Sequence, residues 1–212
     1  MGTLRTVLDG VMSGCVIVFG VTWMAGAIYF GLKEPGGARA IMRGFGRSWL
    51  SRIGLAAVIV AIAALTGRHW TGFWTHLQYW NPVLAAIGAL VAVAATALLV
   101  WARLVLGGMW ASVPLVQDEH RLVTRGPYAR VRHPIYTGLL GLALGAALTY
   151  GFGVWLAVLV LAVPFVLRRV YVEDGMMART FGAEYDAYRA RVPALFPSIS
   201  AARPSSTRRS PN

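Results

Sequence analysis

Five apolar runs separated by polar links organise the chain: residues 10–32, 49–66, 82–106, 135–149 and 153–168. About 20 consecutive apolar residues suffice for a helix to cross a bilayer, and the first three runs reach or approach that length. At 1.5 Å per residue the last two are each only about 22 Å long, against a hydrocarbon core of about 30 Å. Joined by Tyr150-Gly-Phe-Gly153, they predict a tight helical hairpin whose polar end is recessed from the membrane surface. Beyond them Met176, Met177, Phe181, Tyr185 and Tyr188 recur at helical spacing. Residues 172–191 are therefore expected to form a separate amphipathic helix that packs on the bundle or lies in the interface. Val192-Pro193 and Phe196-Pro197 stop it. The pattern predicts an all-α integral membrane fold: about five transmembrane helices with a short C-terminal helical hairpin and a cytoplasmic amphipathic helix. No repeat of 20–50 residues is present, so residues 1–197 read as a single domain. Residues 198–212, rich in Ser, Pro and Arg, read as a disordered basic tail.

Composition strengthens this picture. The chain is 57% hydrophobic and 13% charged, with a mean hydropathy of +0.60, whereas soluble domains are about 45–50% apolar and about 25% charged. The first run is flanked by Arg5 and Asp9, and Ala25-Gly26-Ala27 resembles a leader cleavage site. Its apolar character continues through Phe30, so it reads as a retained span. Cys15 stands alone and forms no internal disulfide.

The formal net charge is +12, and its distribution sets the expected orientation. Lys and Arg number one in residues 1–9, five in 33–52, one in 67–81, five in 103–132, none in 149–153 and eight from 168 onward. That alternation places the N-terminus outside and the polar clusters in the cytoplasm. Basic residues so placed meet anionic membrane lipids, and no basic run interleaved with aromatics points to nucleic acid. Trp70, Trp74, Tyr79 and Trp80 read as an interfacial aromatic belt. His69 and His76 lie among them without Cys or carboxylate company, so no metal site is expected. Arginine replaces lysine almost everywhere, which hints at a GC-rich, bacterial coding genome and an inner-membrane protein.

Chemistry concentrates in two polar clusters flanking the hairpin. The first is Arg121-Leu-Val-Thr-Arg-Gly-Pro-Tyr-Ala-Arg-Val-Arg-His-Pro-Ile-Tyr-Thr-Gly138; the second is Arg168-Arg-Val-Tyr-Val-Glu-Asp174. Pro134 suits a first helical turn, where the N–H it lacks would have no partner. That places His133 at the electropositive helix end, which suits a carboxylate. Glu173 offers an acceptor for an ammonium group, or else Glu173 and Asp174 pair with Arg132, Arg168 or Arg169. Tyr128 and Tyr136 offer aromatic faces and hydroxyls, or else act as interfacial anchors. A ligand with an ammonium, a carboxylate, a ribose, an adenine and a sulfonium fits this set: S-adenosylmethionine. Arg169, one turn before Glu173 on the same face, could clamp an acceptor carboxylate.

The run His120-Arg-Leu-Val-Thr-Arg-Gly-Pro-Tyr128, the run Arg132-His-Pro-Ile-Tyr-Thr-Gly138, the Glu173-Asp174 pair and Phe181-Gly-Ala-Glu-Tyr185-Asp-Ala-Tyr188 together resemble the isoprenylcysteine carboxyl methyltransferase family. Its superfamily includes phospholipid N-methyltransferases. The resemblance covers residues 101–197. It implies a multi-span helical methyltransferase without a dinucleotide-type domain, and no G-x-G-x-x-G follows a strand here. By resemblance His120, Arg121, Leu122, Val123, Tyr128, His133, Tyr136 and Glu173 would line the cofactor pocket, with Arg169 at the acceptor. The second acidic residue of the pair is usually Glu in that family and is Asp174 here, which leaves its role open. The acceptor implied is a lipophilic small molecule or lipid-modified substrate from the bilayer. A carboxylate is favoured by Arg169, the alternative being a phospholipid or another small lipophilic N- or S-nucleophile. The non-enzyme reading is a membrane protein whose basic loops bind lipid.

Overall fold

The computed structural model describes residues 2–33, 73–107 and 121–197. Regular structure among them is helical: α1 (Gly2–Lys33), α2 (Phe73–His76), α3 (Pro82–Leu106), a 3-10 turn (Gly126–Ala129), α4 (Pro134–Tyr150), α5 (Val154–Phe181) and α6 (Ala183–Arg191). Of these, α1, α3 and α5 are long and apolar enough to cross a membrane, and α4 is a shorter apolar helix. The predicted third span, 82–106, coincides with α3. Its start is set by Asn81, whose side chain accepts from the amides of Val83 (2.9 Å) and Leu84 (3.2 Å), with Pro82 at the first position. The predicted second span, 49–66, and the tail 198–212 lie outside the described residues.

The core is a seam of small residues. A Cβ on Gly88 would stand 2.7 Å from the Gly145 carbonyl oxygen, and one on Gly145 would stand 2.8 Å from that of Gly88. Ala85, Ala89, Ala92 and Ala95 of α3 and Ala146 and Ala147 of α4 are buried along the same contact. Helices within lipid gain nothing from hiding apolar surface against each other, so close backbone approach and dispersion hold them together. The contacts make α3 and α4 antiparallel. α1 runs parallel to α3, for Leu8 packs on Ala85 and Ala89 while Gly26 meets Arg103.

The link between α4 and α5 lies at the opposite end from Pro134. Gly151 takes the left-handed conformation (φ 77°), and Tyr79 donates to its carbonyl at 2.9 Å. The hairpin departs from expectation beyond that turn. α4, at 17 residues, is about 25 Å long, but α5 runs 28 residues, about 42 Å, in one piece. The fifth apolar run and the first half of the expected amphipathic helix are thus one helix. No glycine or proline between Pro164 and Gly175 breaks it, and Gly182 (φ 53°) ends it; α6 is the remaining half. α5 therefore overhangs the start of α4, and Glu173 and Asp174 sit on that overhang.

Replacing Gly145 by alanine places a methyl group against backbone that has no slack. It is expected to destabilise the protein by about 1–3 kcal/mol, read as a lowered midpoint in thermal unfolding in detergent. The same change at Gly14, where a Cβ would meet nothing within 4 Å, is expected to leave the midpoint in place.

Candidate active site

The site forms where the chain enters α4. Gly126 (φ 62°) turns the backbone against α3, where a Cβ would stand 3.0 Å from Val105. The 3-10 turn that follows buries Pro127 and Tyr128. His133 caps α4 and Pro134 begins it, as the sequence predicts. An extended strap, Val192–Leu195, then closes over the entry: Arg132 and His133 donate their amides to Pro193 (2.9 Å) and Ala194 (3.0 Å), and Thr137 Oγ1 donates to Leu195 (2.6 Å). The first-turn amides of Ile135 and Tyr136 have no intrahelical acceptor, and none outside the helix is seen among the described residues.

Two adjacent carboxylates then address two different groups. Glu173 Oε2 accepts from the Tyr136 hydroxyl at 2.8 Å; the same hydroxyl accepts from Arg169 Nε at 3.2 Å, and Arg169 lies 3.9 Å from the carboxylate. Asp174 accepts from Arg132 at 2.7 Å on one oxygen and pairs with His133 Nε2 at 2.8 Å on the other, which also accepts from Tyr185. Arg132 spans onward to the carbonyls of Val192 (2.5 Å) and Arg189 (3.2 Å). The Tyr188 hydroxyl donates to the Tyr128 carbonyl at 2.6 Å.

The hydroxyl of Tyr128 is buried without a hydrogen-bond partner among the described residues. Burial, then the negative charge of Glu173, pushes its ionisation well above the ordinary tyrosine range. It is therefore a neutral donor near Glu173, and a buried polar group of this kind costs free energy unless something satisfies it. Burial likewise lifts Tyr188 to about 12, and burial with the bond to Asp174 raises Tyr185, so both remain donors.

Of the residues singled out from sequence, the structure brings Tyr136, Glu173 and Arg169 into one bonded group. It sets the ring of His133 5.7 Å from that of Tyr136 and leaves Tyr128 within reach of the field of Glu173. Arg121 is exposed, and Leu122 and Val123 are half-buried without polar contact to the group. His120 lies outside the described residues, as does His69; His76 is exposed. No cluster of three or more His, Cys, Asp or Glu side chains suited to a metal occurs among the described residues. The sequence offers pairing of Asp174 with Arg132, which the structure shows; sequence reasoning missed the rest of the anchoring set, Tyr185, Tyr188 and the strap. Tyr185 and Tyr188 share a helix face, which reads as apolar until their hydroxyls find partners. Arg103, near the end of the third apolar run, lies in the last turn of α3, buried against Gly26 and Trp23.

The profile of the isoprenylcysteine carboxyl methyltransferase (ICMT) family matches residues 84–179. The nickel-cobalt-cadmium resistance protein NccN of Alcaligenes xylosoxydans xylosoxydans is 34% identical over 165 residues, covering 74% of this chain and 69% of that protein. The cobalt-zinc-cadmium resistance protein CzcN of Cupriavidus metallidurans is 36% identical over 165 residues, 74% of this chain and 68% of that one. The protein-S-isoprenylcysteine O-methyltransferase of Schizosaccharomyces pombe is 38% identical over 82 residues, 38% of this chain and 35% of that one.

Removing Arg132 takes its arginine partner from the nearly buried Asp174 carboxylate and leaves it His133 and Tyr185. Arg132→Met is expected to cost about 3 kcal/mol and Tyr188→Phe about 1 kcal/mol, both read from unfolding in detergent.

Proposed function

The chain belongs to the isoprenylcysteine carboxyl methyltransferase family, a family of methyltransferases, and from that footing we propose that it methylates a lipophilic acceptor from S-adenosylmethionine at the entry to α4. The observation that carries this reading is the group Tyr136–Glu173–Arg169 beside the buried Tyr128 hydroxyl, which has no hydrogen-bond partner among the described residues. The residues present fit the cofactor. Glu173, whose side chain is 30% exposed, has lone pairs left for the ammonium. The amides of Ile135 and Tyr136 and the positive end of α4 suit the carboxylate. Tyr128 supplies a donor in a dry setting, and Arg121, Leu122 and Val123 border the ribose and adenine. S-adenosylmethionine supplies a methyl group already activated on sulfonium, so the protein's part is alignment and exclusion of water.

Arg169 meets the acceptor. Its Nε is held by Tyr136, which presents the rest of the guanidinium to a carboxylate and repels an amine. This favours O-methylation of an acid, in keeping with the relatives named protein-S-isoprenylcysteine O-methyltransferase. The acceptor's apolar part has a route: a groove of about 580 Å³ between α1 and α3 is lined by apolar side chains and ends at Trp101 and Leu104. Trp101 borders Gly126, at the turn that carries Tyr128. The α1 start and the α4–α5 turn share the arginine-poor end, and the site shares the arginine-rich one. Under the positive-inside rule this supports a cytoplasmic site and an outer N-terminus, in a bacterial inner membrane.

Titration calorimetry in detergent tests the donor assignment. Glu173→Gln is expected to weaken S-adenosylmethionine binding roughly tenfold or more, the loss of one charge-assisted contact; absence of wild-type binding at millimolar donor would end the reading. For Arg169→Ala, a rise in the acceptor KM with donor affinity unchanged is expected, measured by transfer of labelled methyl into a host lipid extract. An Arg169→Ala enzyme with an unaltered acceptor KM would remove Arg169 from that role.

A further inference from the structure

Successive residues of a helix point about 100° apart, so Glu173 and Asp174 cannot serve the same ligand atom. Glu173 faces Tyr136 and Arg169. Asp174 faces three donors from two parts of the chain: the adjacent Arg132 and His133 at the entry to α4, and Tyr185 of α6. The Asp174 side chain is 15% exposed and that of His133 6%. A ligand ammonium seated on Asp174 would have to displace one of these donors and leave it buried and unpaired, which is costly. Asp174 accepts from three donors within the protein, whereas Glu173 accepts a hydrogen bond from one.

We propose that Asp174 is a positioning residue for the cofactor, acting through His133. By accepting at Nε2 it fixes the plane of the imidazole and leaves Nδ1 as the only ring nitrogen available to a ligand. Through Arg132 the same carboxylate ties α5 to the strap at Val192, so cofactor-facing groups of α4 and α5 hold one spacing. This inference rests on the functional reading above, and its test separates the two.

The test compares wild type, Asp174→Asn, Asp174→Glu and Tyr185→Phe by calorimetry with S-adenosylmethionine, by steady-state kinetics, and by nitrogen NMR of labelled histidines in the cofactor-free protein. His133→Gln identifies the signal. Wild type is expected to show His133 protonated at Nε2. In Asp174→Asn, which keeps the shape of the side chain, that preference weakens. The donor Kd and KM rise together by roughly tenfold, the usual scale for losing a partner that orients a ligand-binding histidine, while kcat at saturating donor stays within about twofold. Asp174→Glu and Tyr185→Phe keep the acceptor for His133 and remain within about threefold of wild type. A fall in kcat with donor KM unchanged overturns the proposal, because Asp174 would then act in the chemical step. An unaltered His133 signal in an Asp174→Asn protein that binds the donor overturns this proposal alone; a wild type that binds no donor overturns the functional reading and this one with it.

Discussion

The Asp174 carboxylate, shared among Arg132, His133 and Tyr185, is the contact on which the site depends. It lies on a helix that continues past the start of its neighbour, where charged groups lose water and must find partners in the protein. Three donors on one acid compensate that loss and at once fix three segments distant in sequence. The strap Val192–Leu195 adds backbone bonds to the same place, so the entry to α4 is held from both sides. Glu173, one residue away, is left under-satisfied in an otherwise well-bonded frame. A rigid surround with one unfilled acceptor and one tyrosine hydroxyl unpartnered among the described residues is what a ligand-binding site requires.

That frame needs α4 and α5 to keep their axial positions, and the seam of Gly88 and Gly145 sets them. Where two backbones approach this closely, a slide along the axis drives alanine methyl groups into carbonyl oxygens. The turn at Gly151 pins the far end, with Tyr79 bonded across it. Chemistry at one end of the bundle is thereby tied to packing at the other, about 25 Å away along α4.

Much of this was legible in the residues. The run from Pro82 marks α3 and His133-Pro134 the start of α4, because a helix start is local chemistry; the Asn81 cap is added by the structure. The pairing of the 121–138 cluster with the 168–174 cluster follows from a hairpin whose two ends must meet. The continuity of α5 was not legible: the fall in hydropathy after Leu167 looks like the end of a span, yet hydropathy reports the medium around a helix and not its hydrogen bonds. Nor was the division between Glu173 and Asp174. It depends on the helix phase relative to α4 and α6, which no local pattern carries. Tyr185 and Tyr188 were visible as a periodic face, but only tertiary contact shows that their hydroxyls, not only their rings, are what that face contributes.

Photoaffinity labelling is the most direct measurement of the central claim, that the donor is held between the entry to α4 and the overhang of α5. With an azido-adenosyl analogue of S-adenosylmethionine and peptide mapping of the detergent-solubilised protein, label is predicted in residues 121–138 and 168–181, with competition by unlabelled S-adenosylmethionine. Label at the α4–α5 turn or the start of α1, or label that S-adenosylmethionine does not displace, would contradict the account.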